Sequence, residues 1–157
     1  MAERKLLTLL RIGNRGRMLA AEAAVGLAAA RLSLLVSPFQ RVAGRLGAFV
    51  PPDDERARAG AGASSEAKRA VARQVGWAVR AVAPYMPFKT LCLQQALAAH
   101  AMLRRRGIEA PVHFGAGRDE SGRFEAHAWL EVGGVEVAGY PLPPGVREIG
   151  CFVPGRD

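Results

Sequence analysis

Aromatic side chains are scarce in this chain: two Trp, two Tyr and six Phe among 157 residues. A core must therefore be built mainly from Ala, Leu and Val. No basic strand carries the interleaved aromatics on which RNA bases stack, so no nucleic-acid partner is expected. Cysteine is scarcer still. Cys92 and Cys151 form no Cys-x-x-Cys pair, and with three histidines they show no ligand spacing. Neither a disulfide framework, a metal site nor a cofactor is expected. No early apolar run leads into a small-residue cleavage site, which argues against a secretory signal and for a reducing, cytoplasmic setting. Residues 18–36, MLAAEAAVGLAAARLSLLV, approach the length of a membrane span. Glu22 and Arg31 interrupt them, at roughly 2.5–3.5 kcal/mol each near a bilayer centre. A transmembrane helix is not expected; peripheral association with the inner membrane face stays open.

Half of the residues are apolar, and the length suits one domain with a real core. The formal charge of +8 is uneven: residues 1–50 carry a net +6 and the remainder +2. A basic segment of this kind can meet an acidic peptide, an anionic membrane surface or nucleic acid, or simply be a solvated face.

Helical periodicity runs through 4–13 and 16–36, where Leu19, Ala23, Leu27, Ala30 and Leu34 share a face. The second of these is apolar almost all round, as a helix buried among others or against a partner would be. A short basic helix is expected over 38–47. Residues 51–65, PPDDERARAGAGASS, lose all apolar period and read as a linker. Ser64 or Ser65 can cap a helix over 66–83 with Val71, Val75, Val79 and Val82 on one stripe. Pro84 and Pro87 break it. Thr90 is the expected cap of the next helix, which starts near Cys92, runs to about Arg106 and stops at Gly107. The period then changes to two: 111–118, 122–132 and 135–140 read as strands, the last pair joined by Gly133-Gly134. A short strand at 150–153 closes the chain. Helices followed by an antiparallel meander make an α+β fold.

The chemistry is concentrated in KTLCLQQALAAHAMLRRRG and FEAHAWLEV. A thiol in the first turn of a helix meets the positive end of the helix dipole, which favours thiolate. A histidine on a neighbouring strand can serve it as base. Cys92 and His127 are the candidates. Read alone, Cys92 is a small buried hydrophobe and His127 a satisfied histidine; the combination argues for catalysis. His100 and His113 fit the structural role better, since no nucleophile is placed near His113. Arg104, Arg105 and Arg106 suit a helix C-terminus.

The run from Cys92 to Val132 resembles the transglutaminase-like cysteine protease superfamily, and more narrowly the lasso-peptide leader peptidases. Cys-Leu-x-x-Ala-Leu opens the helix, Leu-x-Arg-Arg-Gly-Ile closes it, and Ala-His-Ala-Trp lies on a strand. The Ala- and Leu-rich N-terminal helices ending in SPFQRVAGRLG are similar too. The resemblance implies a transglutaminase/papain-like fold, with the Cys92 helix packed on the meander. It also implies cleavage of the leader from a ribosomally made precursor, with Cys92 as nucleophile and His127 as general base and acid. A partner cyclase would then close the macrolactam.

Two departures accompany it. The family pattern includes an acidic third residue on the strand after the histidine. With a tight turn at Gly133-Gly134, His127 faces Tyr140, while Glu131 and Glu136 face each other out of reach. The third member stays open among a backbone carbonyl, Tyr140 and a residue not placed. A fused precursor-recognition domain is also missing from the pattern, which implies a separate recognition protein. Residues 1–50 would then form a docking segment, 51–65 a linker and 66–157 the peptidase domain. The rival readings are a transglutaminase-like acyltransferase and a non-catalytic basic binding protein.

Overall fold

A computed structural model of the chain describes residues 13–61 and 64–155. The helix expected over 4–13 lies, but for Gly13, outside them. Helix α1 is Asn14–Val36, α2 is Phe39–Gly44, and strand β1 is Ala48–Val50. Helix α3, Glu55–Ala61, follows. Helix α4 is Glu66–Val82, capped by Ser65 Oγ, which accepts from the Lys68 amide at 3.3 Å. A single 3₁₀ turn, Ala83–Tyr85, leads towards α5, Cys92–Arg104. The strands are β2 Val112–Arg118, β3 Phe124–Val132, β4 Val135–Ala138 and β5 Arg147–Val153.

The fold is α+β. All five strands form one antiparallel sheet in the order β1-β5-β2-β3-β4. Alternation divides the sheet into two faces. Val112, Ala128, Leu130, Val132 and Val137 point to one of them. There they join Val75 and Val79 of α4, Ala99, Met102 and Leu103 of α5, and Ala23 and Leu27 of α1 in one buried cluster. Each large side chain so buried contributes about 1.5–3 kcal/mol. On the other face Val50, Cys151 and Val153 pack with Ala57 of α3 in a small second cluster.

Two features depart from the sequence expectations. The 51–65 segment, read without secondary structure, contains α3, because Ala57 has an apolar surface to cover. Strand β1 was not expected, and β5 is longer than 150–153; it lies between β1 and β2, and its partners are distant in sequence.

Helix α1 is long and apolar enough to cross a bilayer by length and composition. Its inner residues Ala23 and Leu27 nevertheless sit in the common core. Glu22 ties it to α5 through Arg105 and Arg106, at 2.8 and 2.6 Å. Arg106 also donates to the Met102 carbonyl near the end of α5. Its outer side is not covered within the chain: Met18, Val25, Leu32, Leu35 and Val36 are exposed.

Candidate active site

Cys92 is the first residue of α5 and is half-buried against the main core. The entry to this helix is held by amides. Gln94, almost fully buried, accepts from the Leu91 amide through Oε1 at 3.0 Å, and Gln95 Nε2 donates to the Thr90 carbonyl at 3.3 Å. Leu91, in extended conformation, is the residue before the helix. Thr90 is therefore not the cap; its hydroxyl turns back to the Ala83 carbonyl at 3.4 Å and closes the 84–90 loop.

His127 lies on β3, opposite Gly115 of β2. It belongs to the face that carries Trp129 and lies away from α1, α4 and α5. It also lies at the border of the helix layer: on the core face its neighbour Ala128 is buried, whereas Ala126 is exposed. No hydrogen bond joins the His127 ring to the Cys92 thiol among the described residues.

The register of β3 and β4 explains the ring's partner. Val132 pairs with Val135 and Glu131 with Glu136, as a tight Gly133-Gly134 turn requires. The register then slips by one, so that Leu130 pairs with Ala138. Tyr140 is carried past His127, and its hydroxyl donates to Glu131 at 3.2 Å. Burial and the Glu131 charge keep that phenol protonated well above the usual range. The His127 ring instead meets the Gly139 carbonyl, with Nε2 2.5 Å from the oxygen. A carbonyl only accepts, so Nε2 carries the proton and Nδ1 of the neutral ring presents a lone pair. Gly139 has φ +82°, and a Cβ there would collide with the Ala128 carbonyl. The approach of carbonyl to ring thus requires glycine.

The remaining histidines differ from one another. His100 is buried with Nδ1 3.0 Å from the Ala110 carbonyl, and burial lowers its pKa, so it is a neutral core residue. His113 is buried and has partners too, but a thiol lies near it, which the sequence did not place there. It stacks on Trp129 with ring centroids 5.6 Å apart, and its Nδ1 lies 2.6 Å from Glu148 Oε1. Cys151 stands opposite it on β5, and donor atoms of His113, Glu148 and Cys151 lie within 4.8 Å of one another. Spacing alone gave no hint of this cluster, because a strand expected over 150–153 leaves Glu148 outside it.

Of the two thiols, Cys151 is poorly placed to be a nucleophile. It is fully buried, and burial together with the Glu148 and Asp54 charges pushes its pKa up to about 11. Only Cys92 combines partial exposure with a helix N-terminus.

No curated protein and no solved structure matches the chain. Residues 33–149 match the Transglutaminase-like superfamily, whose members include cysteine peptidases and acyltransferases. That stretch covers most of the molecule, from the end of α1 into β5, and contains both Cys92 and His127. The chain belongs to the Transglutaminase-like superfamily.

Proposed function

We propose that the protein is a cysteine peptidase working through an acyl-enzyme, with Cys92 as nucleophile and His127 as its base. The observation that carries this reading is the 2.5 Å contact between His127 Nε2 and the Gly139 carbonyl: an acceptor there calls for the proton on Nε2 and leaves Nδ1 as the basic nitrogen. Two contacts support the pairing. After α5 the chain doubles back along it, with the Ile108 amide on the Leu103 carbonyl and Ala110 at His100. From His100 to Cys92 is roughly 12 Å of helix, which equals about four residues of strand. Counted from Ala110, that reaches Phe114 or Gly115, and Gly115 is the partner of His127.

In this mechanism Nδ1 takes the thiol proton as sulfur attacks the scissile carbonyl. The amides at the start of α5, which have no helical carbonyl to bond, stabilise the oxyanion. The imidazolium then protonates the leaving amine, and water activated by the same nitrogen releases the acid. Gly139 supplies through its backbone what a carboxylate would supply from a side chain, namely a partner for the far ring nitrogen.

The substrate we propose is the leader of a ribosomally made lasso-peptide precursor. It would be presented by a separate recognition protein ahead of a lasso cyclase. The warrant is the resemblance of the Cys92–Val132 run, together with the basic N-terminal region and the exposed apolar side of α1. Incubation with precursor and recognition protein should release the leader, and Cys92→Ala should abolish release. Full cleavage by that variant would remove the mechanism. Incorporation of an added amine into the product, in place of hydrolysis, would favour the acyltransferase reading.

A further inference from the structure

We propose that His113, Glu148 and Cys151 form a zinc site on the sheet face opposite α1, α4 and α5. The assignment is independent of the Cys92 reading. In a regular strand Glu148 and Cys151, three positions apart, would point to opposite faces. Here β5 carries a bulge: Phe114 pairs with Gly150 and Gly115 with Glu148, leaving Ile149 as the extra residue. The bulge returns both side chains to the face that carries His113, as bulges near functional sites often do. Gly150 allows it, since a Cβ there would strike the Phe49 ring and the Val50 carbonyl.

The donors suit zinc in kind and number. One sulfur, one imidazole nitrogen and one carboxylate, all within 4.8 Å of one another, are three protein ligands that leave a fourth position open. Trp129 stacks at 12° to the His113 ring and fixes its plane. Cys151 is fully buried, whereas Glu148 is partly exposed and forms the mouth through which an ion enters. Charge balances as well: a thiolate and a carboxylate neutralise a divalent cation. Binding expels the Cys151 thiol proton to solvent and uses a lone pair of the neutral imidazole.

Metal-free full-length protein titrated with Zn²⁺ against a chromophoric chelator should bind one equivalent. Titration with Co²⁺ should give a sulfur-to-cobalt charge-transfer band. Cys92→Ser should keep the band and Cys151→Ser should lose it. Glu148→Gln, a change at the partly exposed mouth, should weaken affinity by more than the roughly 10–100-fold typical of losing a residue behind a ligand. If Cys151→Ser does not fold, the Glu148→Gln affinity decides alone. Absence of stoichiometric binding, a band that survives Cys151→Ser, or an unchanged Glu148→Gln affinity would overturn the site.

Discussion

The Nε2 nitrogen of His127 lies 2.5 Å from the carbonyl oxygen of Gly139, a residue whose own side chain could not be enlarged without moving β3. The contact depends on the one-residue register slip between Leu130 and Glu131. A backbone oxygen has no charge with which to stabilise an imidazolium. It can, however, hold the tautomer and the ring plane, and orientation is much of what a third catalytic residue provides.

Gly139→Ala tests this arrangement. A non-glycine residue at φ +82° costs about 1–3 kcal/mol, and the added methyl meets the Ala128 carbonyl and Trp129 besides. The melting temperature should fall, and, if the protein is the proposed leader peptidase, cleavage should fall by more than the lost folded fraction explains. Full activity of the folded variant would show that the carbonyl has no part in orienting His127.

Native alkylation should distinguish the two thiols. Iodoacetamide reacts with thiolate, and Cys151 is both fully buried and pushed up to about 11. Peptide mass spectrometry should find label on Cys92 in the native protein, and on Cys151 only after denaturation. His127→Ala should slow the labelling of Cys92. An unchanged rate in that variant would mean that His127 does not activate the thiol.

Much of this was legible in the sequence. The period-3.6 stripe of α4, its serine cap at Ser64 or Ser65, the Gly107 stop of α5 and the Gly133-Gly134 turn are local, and local physics places them. So is the Cys92 position, which the 84–91 loop and Gln94 fix within a few residues. Strand β1 and the full length of β5 were not legible, because Ala48–Val50 pairs with residues about a hundred positions away. The two bulges were hidden for the same reason. A slip of one residue changes which side chain meets His127, and another brings Glu148 to Cys151, yet neither leaves a periodic trace. Which side of α1 is covered within the chain was not legible either, because an apolar composition all round does not distinguish its sides.

Acid should loosen the attachment of α1. Hydrogen bonds from Arg106, and then from Arg105, pull the Glu22 carboxyl from 4.5 down to about 2. Between those values the unfolded chain binds the extra proton. The stability this group contributes is therefore complete above about pH 5 and is lost as pH falls towards 2. Glu22→Gln should cost about 1 kcal/mol or less at neutral pH, since the group is partly exposed and screened by solvent. It should also flatten the acid limb of a denaturation series between pH 5 and 2. An unchanged limb would mean that other carboxylates carry the acid sensitivity.

The exposed side of α1 offers a cleaner test of docking than truncation. Ala23 and Leu27 belong to the core shared with α4 and α5, so removing the helix would open that core as well as any binding surface. Val25 and Leu32 are 69% and 59% exposed on the outer side. Changing both to Ser should alter stability by no more than about 0.5 kcal/mol each, as surface substitutions do. If this side receives the recognition protein, the double variant should raise KM for presented precursor while leaving the rate of Cys92 alkylation unchanged. Wild-type cleavage kinetics in a stably folded double variant would assign docking to another surface. A parallel loss of binding to anionic vesicles, with cleavage intact, would instead mark α1 as a membrane-facing helix.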